Sequence, residues 1–260
     1  MARQIGPIPL SGTIGGINFF NIDGKNYARL AKQQSKRRFK EDASYERSRE
    51  NSSEFGRASK AAALFRRVFK SHSKQFTDMH YAKRTVNIMM AIRKLDNKSV
   101  RGERSISAGL LRAEGRALLD GFNFHPSTFL QAIVLKAYMA DVAHGVVSFT
   151  DLVTERDFVV PRFATHVELL VVHAVIDFEH KAYEKSAEVV CLLPVDGVSR
   201  DVVLRPAEEL MGEGVRFLVL RVQFFRFDDE EVLPLKGCDV AMQVVGIEPG
   251  VAIPLPQDAG

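Results

Sequence analysis

The chain has 260 residues, 46% apolar and 26% charged, ordinary values for a water-soluble protein able to bury a real core as one large domain or two smaller ones. No apolar run reaches the length a membrane span needs. Met1-Ala2-Arg3-Gln4-Ile5-Gly6-Pro7 lacks the apolar core and cleavage site of a secretory signal, so the expected location is the cytosol, with export by a signal-less route left open. The net charge of +4 is a difference between opposed halves: residues 1–120 hold 25 Lys and Arg against 11 Asp and Glu (+14), and residues 121–260 hold 11 against 21 (−10). Such an asymmetry points to an electrostatic role for each half.

The first element is a β-hairpin. Asp23-Gly24 is a two-residue turn signal, because Asp tolerates and Gly prefers the positive φ of a type I′ turn. Placing the turn there pairs Ile22 with Lys25, Phe20 with Tyr27, Phe19 with Ala28 and Ile17 with Leu30. One face then carries Ile17, Phe19, Ala28 and Leu30, and the other the Phe20–Tyr27 aromatic pair beside Arg29. An isolated hairpin is barely stable in water, so this one must dock on something. Gly12, Gly15 and Gly16 precede it without the Gly-Lys-Ser/Thr ending of a phosphate loop, and read as a flexible or bulged strand entry. Gln33 to Lys40, with Lys36, Arg37, Arg38, Phe39 and Lys40, shows no apolar period and reads as a basic arm.

Helical spacing follows. Asp42 or Ser44 can cap a helix to about Lys70, with Phe55, Ala58, Ala62, Phe65 and Phe69 on one stripe. Thr77-Asp78 starts a second, striped by Met79, Ala82, Val86, Met89 and Met90. A third, about Ser105 to Leu119, carries Leu110, Leu111, Leu118 and Leu119. From Gly121 the period changes. Segments 131–138, 146–153, 165–178, 187–193, 201–205, 215–227 and 239–247 are rich in Val, Leu, Ile and Phe, with turn residues between them. Seven such strands argue for an antiparallel β-sandwich of immunoglobulin-like kind. The expected class is α+β: hairpin and arm over 1–40, a short helical domain over 41–120, and the sandwich over 121–260, ending in a Pro-rich extended tail from Pro249.

Gly12-Thr13-Ile14-Gly15-Gly16-Ile17-Asn18-Phe19-Phe20, Asp23-Gly24-Lys25-Asn26-Tyr27-Ala28-Arg29 and Arg49-Glu50-Asn51-Ser52-Ser53-Glu54-Phe55-Gly56-Arg57-Ala58-Ser59-Lys60 together resemble a family of Bacteroidota proteins that carries no established activity. Asp177-Phe178 and Val219 to Phe225 are similar to its β region. The resemblance implies the architecture and no chemistry.

The residues offer no catalytic pattern. There is no Gly-x-Ser-x-Gly, and neither Cys191 nor Cys238 stands in a nucleophile or metal motif. Both read as reduced core residues, with an inter-strand disulfide as the alternative. His166, His173 and His180 recur every seven residues, which places them on no common metal site. Asp228-Asp229-Glu230-Glu231 reads as a solvated hairpin turn. The chain is expected to be no enzyme and to need no cofactor, metal or small-molecule substrate.

Two readings remain. In the first, copies of the chain join head to tail through their opposed charges, the hairpin and arm reaching the next copy as a filament, tube or ring. Its interface residues are Ile17, Phe19, Phe20, Tyr27, Arg29, Lys36, Arg37, Arg38, Phe39 and Lys40. In the alternative, Arg37, Arg38, Lys40, Arg66, Arg67 and Lys70 neutralise nucleic-acid phosphates, with Lys74, Lys83 and Arg84 in support.

Overall fold

The structure, a computed structural model, describes residues 2–4, 10–31, 36–73, 78–228, 231–235 and 240–249. It is a mixed α+β chain of antiparallel sheets, divided into two units, residues 1–49 and 50–260. In the first unit β1 (Ala2–Arg3), β2 (Gly12–Ile14), β3 (Ile17–Ile22) and β4 (Lys25–Leu30) pair in the order β1-β4-β3-β2. The β3–β4 register is the one the turn residues dictate, Ile22 facing Lys25, Phe20 facing Tyr27 and Ile17 facing Leu30. Asp23 and Gly24 hold φ of 48° and 76°, the left-handed pair a type I′ turn requires. Gly15 and Gly16, at 58° and 80°, make a second such turn and pair Ile14 with Ile17, where the sequence reading gives only a bulged strand entry. The arm is corrected too, since Lys36–Glu41 form a short helix, α1. Its support is charge at four-residue spacing, Arg37 to Glu41 and Arg38 to Asp42, each at 3.0 Å, which an apolar period cannot reveal.

The boundary falls in the first turn of α2 (Glu46–Val68), most of which belongs to the second unit, and α3 (Lys70–Ser73), α4 (Tyr81–Lys94), α5 (Ile106–Leu111), α6 (Ala113–Ala117) and α7 (Leu130–Ile133) follow. Asp42 caps the 3-10 turn Ala43–Tyr45 ahead of α2 instead of capping α2 itself. Ala58, Ala62, Phe65 and Phe69 are buried as their spacing demands, but Phe55 faces solvent. The second stripe shifts by a fraction of a turn. Tyr81, Thr85, Met89 and Ile92 are inside, and Met79 precedes the helix, exposed. The helix expected from Ser105 to Leu119 is broken at Arg112, which is extended (φ −84°, ψ 143°). The break follows from close packing. A Cβ on Gly109 would stand 2.3 Å from the Ile92 carbonyl oxygen, and one on Gly115 2.0 Å from that of Gly109. Segment 131–138 begins as helix because Leu130 and Ile133, three apart, are the buried pair.

The strands are β5 (Met139–Asp141), β6 (Val146–Val153), β7 (His166–Asp177), β8 (Ala182–Lys185), β9 (Val189–Pro194), β10 (Ser199–Leu204), β11 (Val215–Asp228), β12 (Glu231–Pro234) and β13 (Val240–Pro249), with a helical turn, α8 (Thr154–Asp157), after β6. β7 and β11 pair along their length, Val215 with Ile176 through Phe225 with His166. β8 and β9 lie end to end along the far side of β7, and β13 and β12 along the far side of β11. Three residues, 186–188, stand opposite two on β7, 172–173, a bulge that separates β8 from β9. β10, β6 and β5 form a second sheet. Asp228 pairs with Glu231 across the expected acidic turn. Asp229, Glu230, Cys238, Lys74, Thr77 and residues 250–260 lie outside the described residues.

The six-stranded sheet is covered on both faces. On one, Leu170, Val172, Phe217, Val219 and Val244 pack with Ala58, Phe65, Phe69 and Leu110 of the helices. On the other, Leu169, Val171, Leu218 and Leu220 share a core with Phe149 and Leu152 of β6 and Leu204 of β10. This double cover explains the unbroken apolar run 169–172. An immunoglobulin-like sandwich leaves both outer faces solvated; here helices occupy one of them. The change of period near residue 120 is thus a change of layer inside one core. The charge split crosses that core as well: residues 1–49 carry ten basic and four acidic side chains, and 50–260 carry 26 and 28.

Two histidines lie inside this unit. His72 on α3 stands 3.3 Å from Glu188 and 3.4 Å from the Lys185 ammonium. His173 on β7 has neither ring nitrogen hydrogen-bonded among the described residues, with Asp141, His144 and Arg216 its charged or titratable neighbours. Burial lowers the pKa of both; Glu188 partly opposes this at His72, while Lys185 and Arg221 reinforce it. Each histidine is therefore neutral in the fold at pH values where the unfolded chain binds a proton. Stability should fall as pH drops below about 6.5, by up to about 1.4 kcal/mol per pH unit for each histidine. Urea midpoints compared at pH 7 and pH 5.5 check this. The lowered carboxylates, Asp96 and Asp157 among them at about 2, lose their contribution only in more acid solution, below their unfolded values near 4.

Candidate assembly interface

The N-terminal sheet sorts its side chains by strand alternation. Ile14, Ile17, Phe19, Ala28 and Leu30 share one face by register, and Ile14 is 58%, Ile17 38% and Leu30 79% exposed. The opposite face carries Phe20 stacked on Tyr27 at 5.9 Å, with the Arg29 guanidinium 5.0 Å from the Phe20 ring centre. Asn21 braces the turn, donating to Asn26 Oδ1 at 2.9 Å and accepting from the Gly24 N–H at 3.0 Å. Every residue before Glu54 whose burial is described is at least partly exposed. The sheet is fully hydrogen-bonded in register, yet it encloses no core of its own.

The arm residues sit on and around α1. Phe39 meets Tyr45 at 5.6 Å, and the Arg49 guanidinium donates to the Phe39 and Asp42 carbonyl oxygens at 2.8 and 2.9 Å. The Ser44 hydroxyl and N–H, then Arg38, hold the Asp42 carboxyl at about 2, while Asp42 in turn raises Arg38. Arg37 and Arg38 are thus committed to carboxylates one turn on, at Glu41 and Asp42, whereas Lys40 is exposed with no ion pair among the described residues. Lys36 opens α1, its side chain outside the described part.

The second set of cations divides by use. Arg66 donates to Thr85 Oγ1 at 2.6 Å, and Arg84 clips the chain by donating to the Asn123 and Phe124 carbonyls at 2.9 and 2.8 Å. Arg67, Lys70 and Lys83 are exposed. Of the six candidate phosphate contacts, three, Arg37, Arg38 and the buttressing Arg66, therefore already serve local structure.

Ile14 and Leu30 are absent from the expected interface residues, although Leu30 is already placed on the apolar face as the partner of Ile17; the signal for Ile14 is Gly15-Gly16, a hairpin dipeptide. Among the described residues no group of three or more His, Cys, Asp and Glu is placed to hold a metal, and no helix is long and apolar enough to cross a membrane. Cys191 is a half-buried free thiol whose pKa burial raises. No protein-family model, curated protein or solved structure matches the chain.

Proposed function

We propose that the chain is a structural subunit that assembles with copies of itself, its N-terminal sheet docking on the next copy through the Ile14, Ile17, Phe19 and Leu30 face. The observation that carries this reading is a four-stranded sheet with an apolar face and no buried residue among those whose burial is described. Sheets of this size hold in water when one face is covered, and exposed apolar patches mark contact surfaces. The acceptor is a second copy because the charges complement. Residues 1–49 carry an excess of six positive charges and the strand region 121–260 an excess of ten negative, which steers and registers a head-to-tail contact while apolar burial holds it. Nucleic acid ranks second, since Arg37, Arg38 and Arg66 are already engaged.

The face-selective test uses charge. Ile17→Lys with Leu30→Lys should convert assemblies to monomers on size-exclusion chromatography, while Asn18→Lys on the opposite face should leave them intact. Equal loss in both variants, or in neither, contradicts the proposed face.

A further inference from the structure

The β5–β6 turn, residues 142–145, lies against a row of three paired residues on the six-stranded sheet: His173 of β7, Leu218 of β11 and Gly246 of β13. Two glycines permit the approach. A Cβ on Gly145, which holds φ of 71°, would stand 2.5 Å from His173 Nδ1, and one on Gly246 would stand 2.3 Å from Val142 Cγ2. Leu218, between the two contacts, is fully buried in the same cluster as Val142. His173 is 1% exposed, and neither ring nitrogen has a hydrogen-bond partner among the described residues. The neutral ring leaves one donor and one acceptor unmet there; the charged ring would bury two unmet donors. Asp141 and the Val142 backbone favour charge on the ring, but burial and Arg216 outweigh them, and His144 opposes it too. Asp141 is also engaged already, accepting from the His144 N–H at 3.1 Å and meeting its ring at 2.8 Å. Glu184 of β8 and Glu248 of β13 share this face of the sheet beyond Arg216, and Glu184 accepts from the Gly212 N–H at 2.9 Å. The cover itself is slight. β5 is three exposed residues at the edge of its sheet, and segments with few buried contacts open before the core does.

We propose that this turn is an acid-released latch: protonation of His173 lifts residues 142–145 from the sheet and uncovers Leu218, while the rest of the unit stays folded. The closed turn holds the ring neutral, and the open turn returns it to water and its ordinary pKa of about 6.5. Acid therefore favours the open form, by up to about tenfold between pH 7.5 and pH 5.5. Asp141 adds nothing in that window, because its carboxyl, lowered by the His144 hydrogen bond, loses its contribution only below about pH 4. The latch is a local event, distinct from unfolding of the whole unit, and it operates whether or not copies of the chain assemble.

Hydrogen–deuterium exchange of the full chain, read as protection factors so that the intrinsic pH dependence drops out, tests this. The peptide spanning 139–148 should exchange well ahead of peptides from β7 and β11, and should lose up to about tenfold in protection from pH 7.5 to pH 5.5. Low urea should leave its rate unchanged, because opening a turn exposes little surface. His173→Leu, which keeps an apolar side chain in place, should abolish the pH dependence of this peptide. Gly145→Ala should lower its protection already at pH 7.5, since the new Cβ meets the ring. Exchange of 139–148 in step with β7 and β11, with the urea dependence of global unfolding, overturns the proposal. So does equal protection at both pH values, a pH dependence that survives in His173→Leu, or unchanged protection in Gly145→Ala.

Discussion

Truncating Phe65 to alanine is expected to cost about 3–5 kcal/mol, a large part of the 5–15 kcal/mol that holds a typical domain. The ring is fully buried and stands 5.1 Å from Phe69, 5.8 Å from Phe122, 5.9 Å from Phe124 and 5.6 Å from Phe217. Phe217 belongs to β11, so the lost ring opens space at the junction of helices and sheet, where four aromatic partners cannot all move inward. Edge-to-face packing adds to the burial loss. Phe55→Ala, on the same helix but facing solvent, should change stability by no more than about 0.5 kcal/mol. Urea midpoints of the two variants, read against the unaltered chain, check the contrast.

Glu54→Ala should be comparably severe, at about 3–5 kcal/mol. Its carboxylate pairs with the Arg93 guanidinium, with side chains only 2% and 7% exposed, and accepts from the Gly102 N–H at 2.8 Å. Removing the acid leaves a buried cation unpaired and releases the loop after α4. That loop is otherwise fixed by Asp96, which accepts from the Lys98, Ser99 and Ser105 N–H groups at 2.9–3.0 Å. Although burial alone would raise the Asp96 carboxyl, those donors hold it at about 2. A double-mutant cycle with Glu54→Leu and Arg93→Met should show the pair replaced far more cheaply than either member alone. Equal and additive losses would mean that the pair is not coupled.

The contrast between these residues shows what local pattern can and cannot report. Phe65 was legible because a core helix repeats apolar residues at three and four, and β6, β7 and β11 were legible because strand runs are bounded by turn residues. Glu54 was not, since its partner lies 39 positions away and a charged residue on a helix defaults to the solvated face. α1 was missed for a related reason: it is stabilised by ion pairs, not by an apolar stripe. The cover on both faces of the central sheet was hidden because buried strands and buried helices both read as apolar runs. Of the candidate site, the Asp23-Gly24 hairpin, its register and its apolar face were readable from the turn dipeptide alone. That the sheet extends to β1 and β2 depends on pairings across longer stretches of chain, which no local pattern contains.

Sedimentation velocity of the nuclease-treated chain at low salt, with and without residues 1–40, tests the assembly reading most directly. Every described buried residue lies at Glu54 or beyond, so the shortened chain should keep its fold. The intact chain should sediment as species larger than a monomer, and the shortened one as a folded monomer at every concentration. An intact chain that stays monomeric, or a shortened chain that assembles unchanged, would contradict it.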